Sequence, residues 1–264
     1  MHKKIKAFVI LIIGSSLASY AQTWELGATA GSMSYLGDIN QTKINQFNHF
    51  AAGPMLKRNI DGYWSLKFSF INGKISANDA NSSLQQQKDR NLSFFSPISE
   101  TSLQVEFNFF NYGFGFRQRR WTPFLSAGIS FIGFDPKTIY NGEVFYLKDF
   151  KTEGQLSYKT TTHAIPIGTG LKYNFGKYFN VIGEVGFRTT STDFLDDVSG
   201  YYPDPTLLQS ASTAVTNLRI ALSDRSINKI GLPNTQRGDF RKKDSYLFVG
   251  ISLTYTFVSD KCPF

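Results

Sequence analysis

Ser245-Tyr246-Leu247-Phe248-Val249-Gly250-Ile251-Ser252-Leu253-Thr254-Tyr255-Thr256-Phe257 decides the fold. Leu247, Val249, Ile251, Leu253, Tyr255 and Phe257 fall on one face of an extended chain, and Gly250, Ser252, Thr254 and Thr256 on the other. A period of two is the mark of a strand with one apolar and one polar face. The pattern recurs in Trp64, Leu66, Phe68 and Phe70 against Ser65, Lys67 and Ser69, and in Leu103, Val105, Phe107 and Phe109 against Gln104, Glu106 and Asn108. Phe179 to Arg188, Trp121 to Phe131 and Trp24 to Gly31 alternate in the same way. Two weaker segments, about Phe50 to Arg58 and Thr160 to Asn174, are interrupted by Pro54 and Pro166, which cannot donate to a ladder. Eight strands are predicted.

The links between them alternate in length. Asn59 to Gly62, Asn111 to Arg120 and Phe175 to Tyr178 are short, whereas Gly37 to Asn48, Ser76 to Ser96, Phe134 to Lys159 and Ser191 to Asp244 are long. Short turns at one end and long loops at the other are the plan of an outer-membrane barrel, with both chain ends on the periplasmic side. A soluble barrel or sandwich also alternates, but it would rarely place Trp24, Trp64 and Trp121 at matching strand ends. In a membrane barrel those three form an aromatic girdle. The expected fold is an eight-stranded antiparallel transmembrane β-barrel. Its polar face becomes the lumen, where Glu25, Lys67, Glu106, Lys172, Glu184 and Arg188 are expected to pair across strands and fill a narrow interior.

Composition agrees. The 264 residues are 41% hydrophobic and 16% aromatic, with 25 Phe and 13 Tyr, which excludes a disordered chain. No apolar run reaches the roughly 18 residues of a spanning helix, and the mean hydropathy is −0.21. Lys3, Lys4 and Lys6, the apolar stretch from Ala7 to Ile13, and Ser19-Tyr20-Ala21 read as a signal peptide over 1–21. Removing its three lysines from the 28 basic residues leaves 25 against 20 acidic, so the net charge of +8 falls to +5. Neither the charge nor the export signal favours a nucleic-acid partner. The barrel is expected over 22–257, followed by a periplasmic tail, 258–264.

The last loop contains the acidic turn Asp193-Phe194-Leu195-Asp196-Asp197, then Tyr201-Tyr202-Pro203, then Leu208, Ala211, Val215, Leu218 and Leu222 at helical spacing. A short amphipathic helix is expected in this long last extracellular loop, packed over the barrel mouth or docking a partner. The acidic turn is expected to be exposed; Ca²⁺ held by Asp193, Asp196 and Asp197 is the weaker reading. Arg237-Gly238-Asp239 matches an adhesion tripeptide, a match of the length chance supplies. No catalytic, cofactor or resident-metal set emerges. His49 and His163 lie on different strands, and His163 with Ser157 or Thr161 near a loop is a poor match to a membrane-edge hydrolase. Cys262, the one cysteine, lies beyond the last strand and has no internal partner, which suggests an intermolecular disulfide or a free thiol.

Three patches carry a resemblance. Trp24 to Gly27 through Ser34 to Asp38, Thr192 to Ser199, and Arg237-Gly238 with Asp244 to Phe257 resemble the PorG-like family of outer-membrane barrels of the type IX secretion system, which in some bacteria is linked to gliding motility. The resemblance implies a non-enzymatic component, embedded in outer-membrane lipids, that associates with a periplasmic ring of the lipoprotein PorK and its partner PorN. It brings no catalytic residues. It also implies that Cys262 would suit a covalent tether to that ring. A general structural or small-solute barrel of the OmpA or OmpW type is the alternative reading.

Overall fold

The structure is a computed structural model that describes residues 23–41, 43–113, 117–176, 178–239 and 241–257. The expected signal peptide and the tail with Cys262 lie outside these residues. Eight long strands form one antiparallel sheet closed on itself: β1 (Thr23–Leu36), β2 (His49–Asn59), β3 (Trp64–Asn78), β4 (Ser93–Asn108), β5 (Trp121–Phe134), β8 (Thr161–Phe175), β9 (Phe179–Thr190) and β10 (Ser245–Phe257). β6 (Lys137–Tyr140) and β7 (Glu143–Tyr146) form a hairpin in the third loop, added to β4 through Phe95 and Lys137. Closure comes from β1 against β10, in register from Trp24 opposite Phe257 to Leu36 opposite Ser245. A closed barrel has no free edge to template aggregation.

Alternation sorts the side chains into an apolar outside and a packed inside. Leu66, Phe68, Val105, Leu125, Ile251 and Leu253 are exposed on the outer face, while the interleaved Ser65, Lys67, Glu106, Ser126, Ser252 and Thr254 are buried. This reverses the order of a soluble barrel. An apolar belt around the whole girth demands lipid. No helix among the described residues is long and apolar enough to cross a membrane; the strands cross it.

The strands run further at the loop end than the alternation predicts. β3 continues to Asn78 and β4 begins at Ser93, so the loop expected over 76–96 contracts to 79–92. β1 likewise extends from Gly31 to Leu36. A lipid-embedded strand needs about 9 to 11 residues, and β4 has 16. Its surplus stands beyond the apolar band, where the outward Ser99 and Pro97 lie opposite Asn72 and Lys74 of β3.

Above the barrel the long loops fold into a cap. A six-residue helix, α1 (Gln85–Arg90), ends at Asn91 in the left-handed conformation (φ 59°). In the last loop, α2 (Thr213–Ser223) is preceded by a 3₁₀ turn, Pro205–Leu208. Helix and turn together occupy the stretch expected to be helical. Leu208 and Leu222 are buried, but Ala211 is exposed and Val215 only half-buried, so the helix packs through part of the expected stripe.

Candidate functional site: the sealed interior and its cap

Lys57, Lys67, Lys172 and Arg188 meet Glu25, Glu100, Glu106 and Glu184 inside the barrel. Four cations against four carboxylates leave the cluster electrically neutral. Glu106 is its hub: Lys172 Nζ lies 2.6 Å from one oxygen, with Lys57 at 3.3 Å and Lys67 at 3.4 Å. Lys57 continues to Glu25 at 3.4 Å and Lys67 to Glu184 at 2.6 Å. Arg188 then spans Glu184 at 3.6 Å and Glu100 at 3.4 Å, and Tyr246 donates its hydroxyl to Glu100 at 2.7 Å. The strands that carry no charge in this network supply rings beneath the cations. Lys172 sits 4.7 Å over Phe124 of β5, and Arg188 5.1 Å over Phe248 of β10. Gly186 leaves the room that Arg188 uses, because a β-carbon there would stand 2.0 Å from its guanidinium.

All six charged residues read from the sequence as lumen-facing therefore point inward and pair. Lys57 and Glu100 join them without being evident from the pattern. Lys57 lies on the strand that Pro54 obscures, and Glu100 on the part of β4 between the expected loop and the alternation that begins at Leu103. Both follow the inward register once the strand bounds are known.

A water-filled passage would leave its lining charges wet. Here none of the eight is more than 7% exposed. Toward the loop end the interior changes character, a feature absent from the sequence reading. Met33, Ile71, Ile75, Ile98, Ile132 and Phe248 form an apolar core that Ile39, Leu147, Leu195 and Val198 from the loops close from above. An ion-paired lower storey and an apolar upper storey together fill the barrel.

The cap is held by buried polar contacts. Arg90 makes two 2.8 Å hydrogen bonds to Asp79, whose Oδ2 also accepts from the backbone of Leu92. Arg237 pairs with Glu153 at 2.8 Å and donates to the Asp197 carbonyl at 3.0 Å. At 3% exposure it is unavailable as part of an adhesion tripeptide. The acidic turn also departs from expectation. Asp196 and Asp197 are buried, at 1% and 0% exposure, and they face different partners. Asp197 accepts from Thr152 Oγ1 at 2.5 Å and Tyr158 Oη at 2.6 Å, and Tyr158 stacks on Phe194. Burial pushes the Asp197 carboxyl up to about 6 against the pull of Arg237. Asp196 turns instead to the Tyr35 hydroxyl, 2.6 Å away, which also contacts Asp244 at 2.8 Å. Burial and the neighbouring Asp244 raise the Asp196 carboxyl well above the usual range. Asp193, Asp196 and Asp197 thus do not converge on one ion. The carboxyls that do converge are Asp38, Asp196 and Asp244. Closure of β1 on β10 signals this pairing, since it brings the residues after Leu36 beside those before Ser245.

Trp24, Trp64 and Trp121 stand at the turn end, each 44 to 45% exposed on the outer face. Arg58 lies 4.7 Å over the Trp24 ring, Trp64 packs on Phe107 at 4.9 Å, and Trp121 meets Phe110 edge-on at 5.0 Å. Asp61 accepts from the N–H groups of Tyr63 and Trp64 at 2.8 and 2.7 Å, which fixes the turn that presents Trp64. His163 points outward and packs edge-on against Phe131, and His49 Nε2 lies 2.8 Å from Ser76 Oγ. Tyr202 is buried at the loop and Tyr201 exposed.

Among solved structures, the chain is similar to Neisserial surface protein A at 11% identity and a TM-score of 0.42, covering 89% of this chain and 97% of that one. It is also similar to the outer-membrane protein OprG of Pseudomonas aeruginosa, at 11% identity and a TM-score of 0.40 over 91% and 98% of the two chains. The N-terminal β-barrel domain of Pseudomonas aeruginosa OprF gives 12% and 0.37 over 88% and 97%. No curated protein matches the chain. A family model described as a domain of unknown function (DUF6089) matches residues 3–219, most of the sequence, and the chain belongs to that family.

Proposed function

We propose that this protein is a non-enzymatic, non-conducting component of the outer membrane that serves type IX protein secretion, anchoring or stabilising the periplasmic ring of PorK and PorN. The observation that carries the anchoring role is the filled interior. Eight charges sealed in ion pairs and an apolar core closing the mouth support a barrel that does not pass solutes and that works through its rims and outer wall. The assignment to secretion rests on the resemblance of the three sequence patches. Support for treating them as one unit comes from their meeting in the cap: Tyr35 contacts Asp196 and Asp244, and Arg237 donates to the Asp197 carbonyl. In this reading the turn end, where β1 begins and β10 ends, faces the periplasm. Cys262 follows β10 by five residues and supplies a thiol on the side where the ring lies.

The test is isolation of the protein from native membranes in mild detergent, with and without reductant. The expected result is co-purification of the ring proteins and a high-mass species that disappears on reduction and in a Cys262→Ser variant. Recovery of the barrel alone under both conditions, with secretion intact in its deletion strain, removes the secretion role.

A further inference from the structure

Asp38, Asp196 and Asp244 are each 1% exposed, and one oxygen from each lies within 4.8 Å of the other two. They reach this point from separate places: Asp38 follows β1, and Asp196 and Asp244 come from the beginning and end of the last loop. None of the ion pairs among the described residues includes any of them. The guanidinium nearest in effect, Arg90, is spent on Asp79, and Arg241 on Asp239 at 2.5 Å. Their direct partners are neutral. Backbone N–H groups of Leu195, Val198 and Asp239 donate to Asp244, Asp196 and Asp38, and the Tyr35 hydroxyl touches both Asp196 and Asp244. One hydroxyl proton serves one acceptor at a time. The second Asp38 oxygen, Oδ2, has no hydrogen-bond partner and is sealed from solvent.

Unneutralised carboxylates are costly to bury, and a bare oxygen among them more so. A hard cation that takes oxygen ligands removes both costs. We propose that Asp38, Asp196 and Asp244 hold one Ca²⁺ that staples the last loop to the β1–β10 seam. Two oxygens on the same Ca²⁺, at about 2.3 to 2.6 Å each, lie no more than about 5 Å apart, which admits oxygens that are all within 4.8 Å of one another. Mg²⁺ demands near-ideal octahedral geometry and gives up its waters reluctantly, so a buried carboxylate set suits it less well. Gly37 permits the close approach, since a β-carbon there would stand 2.0 Å from both Asp244 Oδ1 and the Tyr35 hydroxyl. The ion orders the cap, so the loop over 191–244 depends on Ca²⁺ on that side of the membrane while the barrel below does not. This site is independent of the secretion reading.

Full-length protein, folded in detergent and stripped with chelator, is titrated with CaCl₂ by calorimetry and with Tb³⁺ by luminescence sensitised through tyrosine. The expected result is one ion per chain, Tb³⁺ emission displaced by Ca²⁺, and about tenfold weaker competition by Mg²⁺. Asp38→Asn, which keeps shape and an acceptor, weakens Ca²⁺ binding by about tenfold or more, whereas Asp89→Asn, at an exposed position of α1, leaves it unchanged. The wild-type chain supplies a readout that needs no variant: protease cuts the last loop faster in chelator than in Ca²⁺. No saturable heat or emission up to about 10 mM Ca²⁺ with folded protein, equal cleavage in both conditions, or an Asp38→Asn chain that binds as wild type overturns the site.

Discussion

Glu106 concentrates the energetics of the interior in one side chain. It is fully buried and lies within 3.4 Å of three lysines, so a neutral replacement strands cations that have no water to turn to. Glu106→Gln is expected to lower stability by about 3 to 5 kcal/mol, read as a drop in the urea midpoint followed by tryptophan fluorescence. Pairing it with Lys172→Met restores part of the loss, because the worst-placed cation leaves with its partner. Six of the eight charged residues of the lumen are legible in the sequence because each sits at the polar position of a strand whose other face is apolar. Asp38 and Asp244 are not, since both lie just outside strands, where no periodicity marks them. Their burial follows from barrel closure and from the way the loops fold inward.

At the scale of elements, period-two alternation identifies the strands within the lipid band and loses them above it. In β3 the outward residues pass from Phe68 and Phe70 to Asn72, Lys74 and Ser76, so contrast between the faces disappears while the ladder to β4 continues to Asn78. The signal is thus a record of lipid contact rather than of hydrogen bonding. Leu125 lies well inside the apolar band of β5, and Leu125→Arg is expected to cost about 2 to 4 kcal/mol in folding into bilayers, measured by urea titration of membrane-inserted protein. The cap answers to different contacts. Arg237 ties Glu153 of the third loop to the Asp197 carbonyl of the last. Arg237→Ala is expected to raise the rate of proteolysis in the last loop severalfold while leaving the heat-modifiable gel migration of the barrel unchanged; equal cleavage rates would assign the order of the cap elsewhere.

The whole molecule is a lipid-facing wall around a solid interior, covered at one end by folded loops and ringed at the other by Trp24, Trp64 and Trp121. Eight strands leave space that side chains can fill, and here they do, with salt bridges below and hydrophobic residues above. A barrel built this way spends its interior on rigidity, which suits a fixed attachment point in the membrane. Single-channel recording of the purified protein in planar bilayers tests that claim most directly. The account predicts no steady conductance across the physiological voltage range; a stable, solute-selective open state would contradict it.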